Sequence, residues 1–241
     1  MPAPAWLVLP TYNEAENLEP IVRASLDVIR RSAGNGHRIL IVDDGSPDRT
    51  GAIAERLAAE LPDEIEVLHR RAKSGLGRAY LDGFRRALDA GAALVCEMDA
   101  DFSHDPADLE RLLRAADDAD LVLGSRYVPG GSVEGWGLVR RVVSRGGCWY
   151  AQHVLGLHVR DLTGGFKCYR REVLEAIALD TVRSQGYAFQ VELTYRAVRH
   201  GFRVREIPIV FRDREVGTSK MSPRIALEAV WRVPQMRFHA R

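Results

Sequence analysis

The feature that most constrains this chain is the regular alternation of short apolar runs with helical periodicities. Ala5–Leu9 is a continuous apolar run of strand length. Leu18, Ile21, Val22, Leu26 and Ile29 then recur at helical spacing up to the stop at Gly34-Asn35-Gly36. The pattern repeats along the front half. Arg38–Val42 predicts a second strand, and Thr50 predicts the cap of a helix carrying Ile53, Leu57 and Leu61 up to Pro62. Ile65–His69 predicts a third strand, followed by a helix from about Gly77 to Ala90 that Gly91 closes. Leu94–Met98 predicts a fourth strand, Pro106 opens a helix running to about Ala116, and Asp120–Gly124 predicts a fifth strand. Strands alternating with helices imply βαβ units. The expected architecture is α/β: one domain over residues 1–241, with a central, mostly parallel sheet flanked by helices. No repeat or low-complexity segment interrupts it, and the glycine-rich stretch Pro129–Gly137 is the loop most able to move.

In an open parallel sheet, ligands bind beyond the carboxyl ends of the strands. Three polar clusters fall at such ends: Pro10-Thr11-Tyr12-Asn13-Glu14, Asp43-Asp44-Gly45-Ser46 and Asp99-Ala100-Asp101. Each alone reads as ordinary turn chemistry. Together they crowd carboxylates along one sheet edge, where mutual repulsion calls for a cation or ligand. Asp99 and Asp101, two apart after a strand, suit Mg²⁺ or Mn²⁺, with water and phosphate oxygens completing the shell. Zinc is excluded because no His/Cys set has its spacing. His104 reads as a cap or surface residue beside a helix start, and His69, His153, His158 and His200 read as structural. A G-x-G-x-x-G fingerprint after the first strand, a P-loop and a G-x-S-x-G elbow are all absent, which argues against a dinucleotide dehydrogenase, a P-loop NTPase and an α/β hydrolase.

Charge adds a second asymmetry. The net charge is +1, yet residues 1–120 carry 14 Lys and Arg against 23 Asp and Glu, while residues 121–241 carry 20 against 10. Solvated helix faces account for such a split, and so does an acidic metal-holding half facing a basic, anion-holding half. No nucleic-acid partner is expected. No stretch approaches the roughly 18 apolar residues of a transmembrane helix, and Met1–Pro10 lacks the pattern of a secretory signal. Cys96, Cys148 and Cys168 are odd in number and read as reduced thiols of a cytosolic protein.

The motifs resemble a known family. L-P-T-Y-N-E-A-E-N-L at 9–18, V-D-D-G-S-P-D-R-T at 42–50 and M-D-A-D-F-S-H at 98–104 are similar to glycosyltransferase family 2 enzymes of the GT-A fold. Six further segments narrow the likeness: G-L-G-R-A-Y at 75–80, G-S-R-Y-V-P-G-G at 124–131, R-R-V-V-S-R-G at 140–146, D-L-T-G-G-F-K-C-Y at 161–169, G-Y-A-F-Q-V-E-L at 186–193 and F-R-D-R-E-V-G-T-S-K-M at 211–221. In this order they resemble the polyprenyl-phosphate mannose synthases, including the dolichyl-phosphate enzymes.

The resemblance implies inverting transfer of mannose from GDP-mannose to a polyprenyl or dolichyl monophosphate, with Mg²⁺ or Mn²⁺ as cofactor. It implies that Pro10, Tyr12, Glu14, Val42, Asp44, Asp99 and Ala100 line the nucleotide pocket. Asp101 would be the main metal ligand beside Asp99, with a third metal position at Ser103, where some relatives carry Gln. Arg126, Arg140 and Ser144 would hold the acceptor phosphate, and Arg214 and Lys220 would clamp the donor diphosphate in a loop that orders over it. Asp101, Arg126 and Arg214 would carry catalysis. The acceptor has a long hydrocarbon tail, so membrane contact follows. A helix carrying Val142, Val143, Trp149, Tyr150 and Leu157 behind Arg140 and Arg141 suits a bilayer interface and equally suits packing on the sheet. Ile225–Trp231 is a second such segment. Some relatives continue into transmembrane helices. This chain stops at Arg241 without one, so it is expected to be peripheral on the cytoplasmic face of the membrane, or cut from or paired with a membrane anchor. Rivals are a relative that uses UDP-glucose or another nucleotide sugar, a transferase to a soluble hydroxyl, which would need a positioned carboxylate base, and a catalytically dead nucleotide-sugar-binding subunit.

Overall fold

Parallel strands buried on both faces read as unbroken apolar runs, and β1 (Ala5–Thr11) is such a strand, buried at every residue. Trp6 and Val8 face one side of the sheet, and Ala5, Leu7 and Leu9 the other. A computed structural model describes residues 3–213 and 230–237 of the chain. It holds β2 (Arg38–Asp43), β3 (Ile65–His69), β4 (Leu94–Glu97), β5 (Leu121–Ser125), β6 (Ser132–Glu134), β7 (Lys167–Arg170), β8 (Val204–Pro208) and β9 (Val210–Arg212). Its helices are α1 (Leu18–Ser32), α2 (Thr50–Glu60), α3 (Leu76–Asp89), α4 (Asp108–Ala115), α5 (Leu138–Leu155), α6 (Arg171–Ala176) and α7 (Gly186–Arg199).

Seven strands form one sheet in the order β3-β2-β1-β4-β7-β5-β8. All neighbours are parallel except β7, which runs antiparallel to β4 and β5. Helices α1, α2 and α4 cover one face, while α3, α6, α7 and the buried residues of α5 cover the other. The single mostly parallel α/β architecture read from the sequence is therefore the one observed.

Two local readings are corrected. Thr50 does not cap α2. Asp48 Oδ1 accepts the Thr50 backbone N–H at 3.1 Å, and Thr50 Oγ1 instead accepts the Glu14 N–H at 2.9 Å, tying the first two strand-end loops together. Pro129–Gly137 is not only a loop, since β6 lies within it and pairs in parallel with β9. The rear strands β6 to β9 are not signalled by apolar runs, because they are short and mixed in polarity. The three cysteines are buried free thiols, with Cys96 and Cys168 facing each other across β4 and β7.

Candidate active site

The carboxyl ends of β1, β2, β4 and β5 open onto one cleft of about 420 Å³, closed on the far side by residues 163–165 and the start of α7. Pro10, Tyr12, Glu14, Asp44, Asp99, Ala100, Asp101, Arg126 and Arg140 all line it. The sequence reading therefore brings together nine residues drawn from five separate segments. Val42, Ser103 and Ser144 are not among the lining residues. Val42 is a core residue of β2, and Ser144 accepts a hydrogen bond from Tyr127 Oη at 2.6 Å. Arg214 and Lys220 lie outside the described residues.

At one end Lys73 sits 3.9 Å from the centre of the Tyr12 ring, and Asp44 accepts the Ser74 N–H at 3.2 Å while paired with Arg70. Asp43, by contrast, turns back onto the Ser46 N–H and toward His69, which explains why the second aspartate of the pair is the one facing the cleft.

In the middle lies the Asp99-Ala100-Asp101 turn. Phe102 adopts φ 58°, an uncommon conformation for a bulky residue, and Asp101 Oδ1 accepts the Ser103 N–H at 3.1 Å. Ser103 is buried and its Oγ has no hydrogen-bond partner among the described residues. Among those residues no group of three His, Cys, Asp or Glu side chains is placed to hold a metal. Two carboxylates are thus what the turn offers. That donor set fits a hard cation that keeps sites for water and phosphate oxygens, and not a cage that closes around its ion. Beneath the turn, Glu97 and Lys167 form a fully buried pair at 3.6 Å, and Lys167 Nζ donates to Gln190, which lines the cleft. Burial raises the Glu97 carboxyl and lowers the Lys167 ammonium from their ordinary values, each toward its neutral form.

At the far end the basic residues are not bare cations. Arg126 is 5% exposed and donates Nε and Nη2 to both oxygens of buried Asp161, at 2.7 and 2.6 Å, with Thr163 Oγ1 at 2.8 Å. Burial opposes its charge, but Asp161 outweighs burial and holds the guanidinium above its ordinary value. Arg140 Nη1 donates to Asp213 at 2.9 Å, and its guanidinium lies 4.1 Å from the Trp136 ring centre. A carboxylate thus already faces both cleft arginines. Arg126 still keeps Nη1 outside its contacts with Asp161 and Thr163.

His104 is also corrected. It is neither a cap nor a surface residue. It is buried on the cleft wall, in ring contact with Phe166 and Phe211 at 5.0 and 5.2 Å. Burial lowers its imidazole to about 4, so it is neutral near pH 7. The sequence reading assigns no site role to His104, Trp136, Asp161 or Gln190, because each owes its place to partners distant in sequence. His104, Asp161 and Gln190 do fall within the motifs M-D-A-D-F-S-H, D-L-T-G-G-F-K-C-Y and G-Y-A-F-Q-V-E-L, whereas Trp136 falls in none of them.

The chain belongs to glycosyl transferase family 2, whose profile matches residues 6–178. It is 50% identical to the polyprenol monophosphomannose synthase of Mycolicibacterium smegmatis over 230 residues, covering 95% of this chain and 85% of that protein. It is 47% identical to the undecaprenyl-phosphate mannosyltransferase of Micrococcus luteus, covering 97% and 94%. Its fold is similar to glucosyl-3-phosphoglycerate synthase of Mycobacterium tuberculosis, solved with Mn²⁺, UDP and phosphoglyceric acid, at a TM-score of 0.72 and 18% identity over 98% of this chain and 78% of that one. The fold is that of the GT-A glycosyltransferases, as the sequence motifs implied.

Proposed function

We propose that this chain transfers mannose from GDP-mannose to a polyprenyl monophosphate, with inversion at the anomeric carbon. The observation that carries the reading is one cleft in which the Asp99–Asp101 turn and the Arg126–Arg140 pair form part of the same wall. The identity of about half with two polyprenyl-phosphate mannosyltransferases supports it. The acceptor chemistry fits as well. A phosphate monoester carries about −1.5 to −2 charges at pH 7, so it attacks as an anion and needs no general base. The demand on the protein is to hold two anions side by side and to stabilise charge growing on the leaving diphosphate.

Asp99 and Asp101 would hold Mg²⁺ or Mn²⁺, which would neutralise the donor diphosphate and its developing charge. Tyr12, Glu14 and Asp44 would orient the nucleoside. Arg126, through Nη1, and Arg140 would hold the acceptor phosphate, with Arg214 and Lys220 serving the diphosphate. The pairing of Arg126 with Asp161 fixes the guanidinium plane before the phosphate arrives, which limits the order lost on binding. Calorimetric titration of GDP and UDP with and without Mn²⁺ tests the donor side. Tight, Mn²⁺-dependent binding of GDP over UDP is expected, and preference for UDP would overturn the choice of donor.

Arg140→Ala should raise the KM for polyprenyl phosphate about tenfold, in line with one charge-assisted hydrogen bond, while GDP affinity holds. Steady-state kinetics with each substrate varied in turn reads the split. Lost nucleotide affinity with an unchanged acceptor KM would reverse the assignment.

The lipid tail needs an apolar approach. Leu138 and Val139 are each 78% exposed, Val142 62% and Trp149 61%, all toward one side of α5 with Arg141 and Arg145 beside them. Trp231, 71% exposed, adjoins this helix through a Tyr150 Oη hydrogen bond to the Val230 carbonyl. No helix among the described residues is long and apolar enough to cross a membrane. We read this surface as the one that rests on the cytoplasmic face of the bilayer. Burying one aliphatic side chain is worth roughly 1.5–3 kcal/mol, so Val142→Asp should cut partition onto anionic vesicles about tenfold or more in a sedimentation assay. Unchanged partition would remove α5 from the interface.

A further inference from the structure

We infer that Tyr80 is a positioning residue for the cation site, and that the glycines around it let α3 carry its hydroxyl to Asp99. The inference rests on the reading of Asp99 as a cation ligand. Tyr80 is fully buried, and its Oη donates to Asp99 Oδ1 at 3.0 Å. Its ring is stacked on Phe84 and Phe189, with centroids at 5.7 and 6.1 Å, so the hydroxyl is held at the end of a fixed ring.

The helix reaches this position through its sequence. Gly77 and Gly83 stand three residues either side of Tyr80, on the same side of α3. A Cβ at Gly83 would collide with Val8 Cγ1 of β1, and one at Gly77 would come within 3.0 Å of Phe189 Cδ2 of α7. The missing side chain at Gly83 lets α3 lie this close to β1, and the one at Gly77 relieves a tight approach to α7. The G-L-G-R-A-Y segment thereby acquires a role distinct from substrate contact.

A carboxylate on a turn rotates about its own side-chain bonds. Tyr80 fixes one oxygen, and the carboxylate as a whole lies beside Gly165 on the cleft wall, both oxygens within 3.9 Å of where a Cβ there would stand. Outer partners that orient metal-binding side chains are worth about 10- to 100-fold in metal affinity.

The test is Mn²⁺ binding, read by electron paramagnetic resonance of free Mn²⁺ with and without GDP, for the unaltered protein, Tyr80→Phe and Asp99→Asn. Tyr80→Phe keeps the stacked ring and removes only the hydroxyl. Tyr80→Met serves in its place should the Phe variant not fold. The expected result is a rise of about tenfold in half-saturating Mn²⁺ for Tyr80→Phe with its metal-free GDP binding unchanged, and a larger rise for Asp99→Asn. An unchanged Mn²⁺ requirement in Tyr80→Phe, with Asp99→Asn impaired, overturns the inference while leaving the cation site standing. An unchanged requirement in Asp99→Asn overturns the cation reading itself, and the inference with it.

Discussion

Asp101→Asn should abolish metal-stimulated nucleotide binding and lower sugar transfer by more than about 100-fold, above the range expected of a side chain that merely orients a ligand. The expectation follows from how little the turn has to spare. Two carboxylates face the cleft there, and no third His, Cys, Asp or Glu is placed with them to hold a metal among the described residues. Removing one halves the charge the protein offers a hard cation and leaves the diphosphate poorly neutralised. Asn preserves the oxygen that accepts the Ser103 N–H, so the turn should survive. Stability should hold or rise slightly, because one of several crowded carboxylates loses its charge. Thermal unfolding alongside Mn²⁺-dependent titration of GDP separates the two effects. Retained metal stimulation in a folded variant would remove Asp101 from the site.

Asp161→Ala should be the most destabilising single change in the basic half. It would leave the Arg126 guanidinium buried without its counter-charge, which costs about 3–5 kcal/mol. In a chain of this size that is a fall in Tm of roughly 6–20 °C. Replacing the pair together, Arg126→Met with Asp161→Leu, should recover most of the stability, since apolar residues of similar volume often replace a buried ion pair without loss. Transfer should nonetheless stay absent, because the acceptor phosphate has lost its guanidinium.

Acid should act in the same direction as Asp161→Ala. Burial raises the Asp161 carboxyl, but the charge and hydrogen bonds of Arg126 outweigh it and hold it below its ordinary 3.8. Its contribution is therefore complete above that value and is lost as pH falls through the lower folded one. Calorimetric unfolding from neutral to acid pH checks the sign. A double variant that folds and still transfers sugar would show that Arg126 serves the scaffold alone.

The front half was legible because the parallel strands β1, β2 and β4 are buried on both faces and so carry unbroken apolar runs, with polar residues only toward their ends. Their carboxyl ends could then be placed on one edge without knowing any contact, which is why Asp44, Asp99 and Asp101 were found. The rear half resisted for a physical reason. The β7 sequence Lys-Cys-Tyr-Arg begins with a lysine, yet Lys167 is fully buried because Glu97 and Gln190 meet it across the sheet. Arg126 was located by its motif, but its tie to Asp161, 35 positions away, is tertiary. His104 was misread because its burial depends on Phe166 and Phe211, which are distant in sequence.

The central claim is that one cleft joins a nucleotide-bound mannose to a lipid phosphate. The most direct measurement is transfer of radiolabel from GDP-[¹⁴C]mannose, and in parallel from UDP-[¹⁴C]glucose, to polyprenyl monophosphate in detergent, with Mn²⁺ or with EDTA. The expected result is an organic-extractable, mild-acid-labile mannolipid formed only from GDP-mannose and only with metal. Label entering the lipid from UDP-glucose alone, or none entering from either donor in a protein that binds GDP and Mn²⁺, would contradict it.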